Sequence, residues 1–294
     1  LTGRRSPFGK PGGTMKYSGK LPTENVNVSD KSPLKEFATL LFGLFAIIFI
    51  IYSLLGLAVD YAVLRLSPEQ EKSLSFSLEK ELMFEEGDDR QSRVLQKMVD
   101  EMLSRCVELT YQVKVFVAKE DSINAVALPG GTIMVFSGLL KKVRSENELA
   151  FILGHELGHF NNKDHLRGMG RGLVLLVLVN ALLGSNSGAE DFVSYFLTFS
   201  ESRFSRQQES VADSFALEAV QCRYGHVSGS TDFFETLVKE EEPGRFGHFL
   251  LSHPDSRERI KDLKTLVKQS GFGTGKLTRL GLVINNRPDP TPEK

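Results

Sequence analysis

The amino-acid sequence predicts an α+β chain, mostly helical with a small β-sheet, preceded by one membrane-crossing helix. Three observations carry this. Residues 37–59, FATLLFGLFAIIFIIYSLLGLAV, contain no charged residue. Beyond them, apolar residues recur at three- and four-residue steps over several long stretches, the period of a helix with one face buried. Between residues 111 and 136 that period gives way to alternation rich in β-branched and aromatic residues, which is the pattern of strands.

The elements follow in order. Residues 1–36 are rich in Gly, Pro, Ser and Lys and poor in apolar side chains, so they read as a disordered tail. The sequence opens on Leu1, and Met15 is a candidate start. As a helix, residues 37–59 rise about 34 Å, enough to cross a hydrocarbon layer of about 30 Å. The run exceeds the roughly 7–15 apolar residues of a cleaved signal peptide, so it reads as a retained anchor. Arg4, Arg5, Lys10, Lys16, Lys20, Lys31 and Lys35 precede it, whereas Asp60, Glu69 and Glu71 outnumber Arg65 and Lys72 just after it. The positive-inside rule then places the N-terminus in the cytoplasm and the rest across the membrane. In a bacterium this is a single-pass inner-membrane protein with a periplasmic domain.

That domain is expected over residues 60–280, with a polar tail at 281–294. Residues 68–105 read as helical with a break at Gly87. Within them Val94, Leu95, Met98, Val99, Met102 and Leu103 keep helical spacing. Residues 111–118 form a strand. Residues 123–140 read as strand, turn and strand, with Pro129-Gly130-Gly131 as the turn. Ser145-Glu146-Asn147-Glu148 is a capping box that opens the next helix. The apolar segment from Gly172 to Gly184 is too short to span a bilayer. It is read as a buried core helix, the alternative being a helix resting on the membrane face near the anchor. A long helix is expected from about Asp191 to Cys222, and a last one from Ser256 to about Ser270. The net charge of −1 leaves no footprint for nucleic acid. Cys106 and Cys222 fit no metal-binding spacing and are expected to be plain buried thiols.

The stretch FILGHELGHFNNKDH, residues 151–165, carries the chemistry. His155 and His159 are four residues apart, so a helix presents both from one face. Two imidazoles in that arrangement can grip one metal ion. Glu156 lies about 100° around the helix and can reach the open side of the ion as a general base.

Two residues could complete the set. His165 occupies the third histidine position of HExxHxxGxxH. The expected glycine is Asn162, however, and the sole later methionine, Met169, is too near to form a Met-turn. Glu209 is the other candidate. In QESVADSF, Glu209 and Asp213 stand one helical turn apart beside an apolar face of Val211, Ala212, Phe215 and Ala216. Glu209 would give a His2Glu site with an open fourth position. Asp213 could then accept a hydrogen bond from the far nitrogen of a ligand histidine, with His155 the candidate.

HELGH at 155–159 followed by ESVAD at 209–213 resembles the zinc metallopeptidases of family 48, the group of HtpX, the CAAX prenyl endopeptidases and the Oma/BepA-type proteases. Asn124-Ala125-x-Ala127-x-Pro129-Gly130-Gly131 is similar to that family's edge-strand segment. His253-Pro254 with Arg259 is similar to its C-terminal motif. The resemblance covers residues 75–268. It implies a zincin-type metallopeptidase fold with one zinc per chain held by His155, His159 and Glu209, leaving His165 a structural residue. The single anchor departs from the several membrane helices of HtpX and the prenyl endopeptidases.

On this reading Glu156 is the catalytic base and His253 or Arg259 a donor to the oxyanion. His253 could instead close the site as a fourth ligand. Asn124 and Ala125 would bind substrate as an added strand. The expected function is a membrane-anchored zinc endopeptidase acting on envelope or misfolded proteins. The alternative is a chaperone-like binding protein whose metal is structural.

Overall fold

The computed structural model describes residues 18–19, 32–67, 69–72, 89–109, 112–183, 204–240, 253 and 256–281. The chain divides into two units, Leu1–Phe49 and Ile50–Lys294. In the first, the described residues are mainly the beginning of helix α1 (Pro33–Val63). Along all of α1 only Gly56 and Val63 are buried. It is the one helix among the described residues long and apolar enough to cross a membrane. The expected tail lies largely outside the described residues, as do residues 282–294.

The second unit is built around one helix, α4 (Glu146–Asn161). Ahead of it come α2 (Asp89–Arg105), β1 (Lys114–Ala118), β2 (Ala125–Leu128), β3 (Thr132–Phe136) and the short α3 (Ser137–Leu140). After it come α5 (Asp164–Leu183), α6 (Arg206–Tyr224), α7 (Asp232–Glu240) and α8 (Ser256–Ser270). Every residue of α4 from Asn147 to Phe160 is buried, which marks a helix covered on all sides. Its main neighbour is α6.

That packing has a specific cause. A Cβ placed on Gly158 would fall 2.8 Å from the Ala212 Cα, and one on Gly154 would fall 3.2 Å from the Ala216 Cα. Two glycines one turn apart thus face two alanines one turn apart, and the two backbones nearly touch. Any larger side chain on this seam would push the helices apart.

The sheet order is β1-β3-β2, with β1 parallel and β2 antiparallel to β3. The hairpin turn uses Gly130 and Gly131 at φ 81° and 86°, a region that favours glycine. β2 is an edge strand close to α4. Phe136 N donates to Asn124 O. By the alternation of an antiparallel ladder, residues 124, 126 and 128 therefore spend their backbone groups on β3. Ala125 and Ala127 turn theirs to the open edge.

The structure corrects three expectations. Cys106 and Cys222 are not buried thiols but a disulfide, with Cα atoms 5.6 Å apart. Each follows or ends a helix, α2 or α6, and these helix ends meet at one end of the core. A sequence separation of 116 residues hides that proximity. The long helix expected from about Asp191 to Cys222 is interrupted, since residues 204 and 205 are not helical, and residues 191–203 lie outside the described residues. Helix α6 starts at Arg206, where the Ser205 hydroxyl accepts from Gln208 N and the Gln208 side chain returns to Ser205 N. This capping box satisfies the free N–H groups of a helix start. Helix α7 has no counterpart among the expected elements, and the third difference lies at α5. The apolar helix expected from Gly172 begins earlier, at Asp164, and carries His165 with it. The break expected at Gly87 lies outside the described residues.

Candidate metal centre

Ser145 opens α4 as expected, its hydroxyl accepting from Glu148 N at 3.2 Å. The return bond reaches one residue further than a capping box predicts: Glu148 Oε2 accepts from Arg144 N at 2.7 Å. Two turns on, α4 presents His155 and His159 toward α6, and the glycine–alanine seam brings Glu209 against them. His253 joins from the segment before α8. One ligand atom from each of His155, His159, Glu209 and His253 lies within 4.8 Å of all the others, and all four residues are buried. His165 is not among them.

The Nε2 atoms of His155 and His159 are 3.1 Å apart, and His155 Nε2 is 3.2 Å from His253 Nδ1. His253 Nδ1 is 3.0 Å from Glu209 Oε1. Glu209 oxygens stand 3.5 Å from His155 Nε2 and 3.6 Å from His159 Nε2. Donors placed 2.0–2.1 Å from a tetrahedral zinc lie about 3.3 Å apart. The cluster has the size of one such coordination shell.

Proton placement gives a second test of fit. His159 Nδ1 is 3.0 Å from Asp164 Oδ2, and His155 Nδ1 is 2.9 Å from Asp213 Oδ1. A carboxylate only accepts. Each histidine therefore donates from Nδ1 and keeps Nε2 for the cluster. Burial and Arg259 lower His155 to about 3, so its ring is neutral, whereas burial works against His159 but Asp164 and Glu209 reverse it and raise it to about 9. The two Nε2 atoms face each other at 3.1 Å, a gap that one positive charge bridges, and the four-residue donor set around it fits a metal ion.

The charges around the cluster agree. Burial alone would push Glu209 up, but His253, His159 and Arg259 outweigh it and hold the carboxylate well below its usual range. Burial likewise works against Asp213, and Arg259 and His155 reverse it, keeping that carboxylate ionised. Burial dominates for Glu156 and raises it above the ordinary carboxylate range. Glu156 Oε1 has no hydrogen-bond partner and stands 3.7 Å from His253 Nε2. A buried carboxyl oxygen with no hydrogen bond, beside a metal-sized cluster, is free to take a proton.

Arg259 sits behind the cluster. Its NH1 is 2.5 Å from Glu209 Oε2, while Nε and NH2 fork onto Asp213 at 2.9 and 2.6 Å. Its guanidinium carbon lies 4.3 Å from the Phe234 ring centroid. Three residues here escaped the sequence reading. Asp164 follows the motif as the first residue of α5 and bonds His159. Gln208 Nε2 donates to Asp164 Oδ1 at 2.8 Å. Phe204 stacks on the His159 ring with centroids 3.9 Å apart. Asp164 alone had a visible signal, a carboxylate five residues past His159 beyond a helix end.

Away from this cluster, His165 Nε2 bonds Glu71 Oε1 at 2.8 Å, and Gly130 N donates to the same oxygen at 3.1 Å. Asn124 is buried, and its Oδ1 accepts from Ala125 N at 3.0 Å.

A helix offering two histidines and a buried carboxylic acid, completed by a glutamate from a second helix, defines the HExxH metallopeptidases. Comparison with known proteins gives the family. Residues 89–267 match Peptidase family M48, well over half of the chain, and the chain belongs to that family. The metalloprotease LoiP of Escherichia coli (strain K12) is 31% identical over 165 residues, 54% of this chain and 64% of that protein. The metalloprotease YcaL of the same organism is 30% identical over 149 residues, 49% of this chain and 58% of that protein. The mitochondrial metalloendopeptidase OMA1 of Arabidopsis thaliana is 30% identical over 149 residues, 50% of this chain and 30% of that protein. The chain spans less than two-thirds of the length of each.

Proposed function

We propose that this protein is a membrane-anchored zinc endopeptidase that cuts peptide bonds in envelope or misfolded proteins. The observation that carries the reading is the convergence of ligand atoms of His155, His159 and Glu209 on one metal-sized site, beside a Glu156 Oε1 that has no hydrogen-bond partner. His155, His159 and Glu209 would hold the zinc. That ion supplies Lewis acidity, drawing the pKa of a water toward about 7 and polarising the peptide carbonyl.

The rest is work for the chain's own residues. Glu156, raised by burial, takes the proton from the attacking water and returns it to the leaving amine. Asp213 and Asp164 hold the tautomers of His155 and His159. Arg259 directs its nitrogens at Glu209 and Asp213 rather than at an open cleft. It acts as a positioning residue, in place of the oxyanion role expected from sequence. Substrate backbone pairs with the outward carbonyl of Ala125 and the outward groups of Ala127 on β2. Asn124 spends its carbonyl on Ala125 N and shapes the start of that strand.

The Cys106–Cys222 disulfide favours an oxidising compartment for the domain, such as the periplasm. This agrees with the orientation drawn from the flanking charges.

One observation favours a second state. His253 Nδ1 stands within the donor cluster, so four protein donors can close the coordination shell and leave no place for substrate. We read this as a latent form of the peptidase. The competing reading is a binding protein with a structural zinc. The test is zinc content and casein cleavage by the full chain in detergent. Glu156→Gln should keep about one zinc and lose cleavage, and Glu209→Ala should lose zinc. His253→Ala should keep zinc and cleave faster than wild type. No cleavage in wild type or His253→Ala, with zinc bound throughout, would overturn the peptidase reading.

A further inference from the structure

Helix α5 changes character at Arg171. Its first eight residues include Asp164, His165, Arg167 and Arg171, while its last twelve, from Gly172 to Leu183, carry no charge. Helix α1 changes character at Asp60, the first charge after the uncharged run of residues 37–59. These two boundaries lie side by side: Arg171 NH2 is 2.6 Å from Asp60 Oδ2.

The helices also run in opposite directions. Just before α5, Lys163 Nζ donates to Leu66 O at 2.7 Å and Val63 O at 3.3 Å, capping the end of α1. Two turns further, a Cβ on Gly170 would fall 2.5 Å from Val59 Cγ1, so the backbone is seated on α1. A Cβ on Gly56 would come within 4.0 Å of Arg171 Nε. As α5 climbs toward its apolar end, its contacts descend α1 into the apolar run. Just past the boundary, Leu173 remains 46% exposed. On α1 at this level, Leu54 and Leu57 are exposed as well.

We propose that residues 172–183 lie in lipid hydrocarbon beside the C-terminal part of α1, as a second membrane-embedded element. This rests on reading α1 as a membrane anchor. Twelve residues rise about 18 Å, short of the ~30 Å layer, so the segment enters from the side of the catalytic domain without crossing. A core helix would have no reason to match the charge boundary of a membrane helix. The Asp60–Arg171 pair marks the level where both helices leave water.

The arrangement sets the height of the metal centre. Asp164, which bonds His159, lies seven residues from Arg171 on the same helix, about 10 Å along its axis. The peptidase site is therefore held on the order of 10–15 Å from the lipid boundary. The substrates it reaches are segments emerging directly from a membrane or lying against one.

The test uses the full chain in vesicles of phosphatidylethanolamine and phosphatidylglycerol. Both native cysteines are in the disulfide, so single cysteines at Leu54, Leu173, Leu178 or Lys264 can take an environment-sensitive maleimide dye. Dyes at Leu54, Leu173 and Leu178 should be quenched by nitroxide-bearing lipids and shielded from aqueous iodide. The dye at Lys264 should behave oppositely. Lipid quenching at Leu54 but not at Leu173 or Leu178 would overturn the proposal while leaving the anchor intact. Absence of lipid quenching at Leu54 as well would overturn both.

Discussion

Asp213 Oδ1 lies 2.9 Å from His155 Nδ1, one helical turn beyond Glu209 on the same helix. One turn of α6 thus supplies both a candidate ligand and the group that orients another. The imidazole must donate from Nδ1 and present Nε2 bare. The same carboxylate takes the Arg259 fork, which fixes its own direction in turn.

Asp213→Asn should therefore weaken zinc binding without emptying the fold. An amide can turn its NH2 toward Nδ1, which moves the ring proton to Nε2 and blocks the ligand atom. Loss of such an orienting carboxylate typically costs 10–100-fold in metal affinity. Competition against a chromogenic chelator measures it, with circular dichroism as the control for folding. Unchanged affinity in a folded variant would remove Asp213 from the metal's support.

Much of this centre is legible in the sequence because its parts follow local rules. Four-residue spacing puts His155 with His159 and Glu209 with Asp213, and Ser145 announces the helix start. The β2–β3 hairpin is readable from alternation and the Pro-Gly-Gly turn. What is not legible depends on distant packing. Nothing local says that Gly154 and Gly158 receive Ala212 and Ala216, or that Cys106 meets Cys222. The fork of Arg259 onto two carboxylates needs α8 in place behind α6. Phe204 on His159 is likewise invisible until the segment before α6 is laid over the histidines.

His165 separates the two ligand sets that the sequence left open. Its Nε2 bonds the buried Glu71 carboxylate, which also receives Gly130 N at the hairpin turn. His165→Ala should keep about one zinc per chain. It should lower stability by about 1–3 kcal/mol, the cost of taking a partner from a buried polar group. At about 2–4 °C per kcal/mol for a domain this large, the melting temperature should fall by several degrees. Zinc loss in that variant would instead argue for a three-histidine site.

Glu148 should make stability depend on pH. Burial raises its carboxyl to about 7, with the Arg144 N–H opposing and Asp232 adding to the rise. Its Oε1 has no hydrogen-bond partner. A folded-state pKa raised from 4.5 means the fold holds the proton more tightly than the unfolded chain. The stabilisation is fully present below about pH 4.5 and is lost as pH rises through about 7. Glu148→Gln is neutral throughout. It should match wild type near pH 5 and melt higher at pH 8, by differential scanning fluorimetry on zinc-loaded protein. Parallel melting curves for the two proteins across that range would show that the carboxylate is accommodated.

The disulfide gives the last prediction. It joins the ends of α2 and α6 beside an ion network in which Arg223 pairs with Glu101 and Glu146, and Tyr224 donates to Glu146 Oε1 at 2.9 Å. Because it links residues 116 apart in sequence, it restricts a large part of the unfolded chain. Such a bond typically contributes about 2–4 kcal/mol, or roughly 4–15 °C for a domain of this size. Protein secreted to an oxidising compartment should show no thiol on denaturation and two after reduction. The Cys106→Ser/Cys222→Ser double variant should melt lower by that amount and keep its zinc, since neither sulfur belongs to the metal cluster. Two titratable thiols in the unreduced protein would overturn the pairing and remove the support it lends to a periplasmic domain.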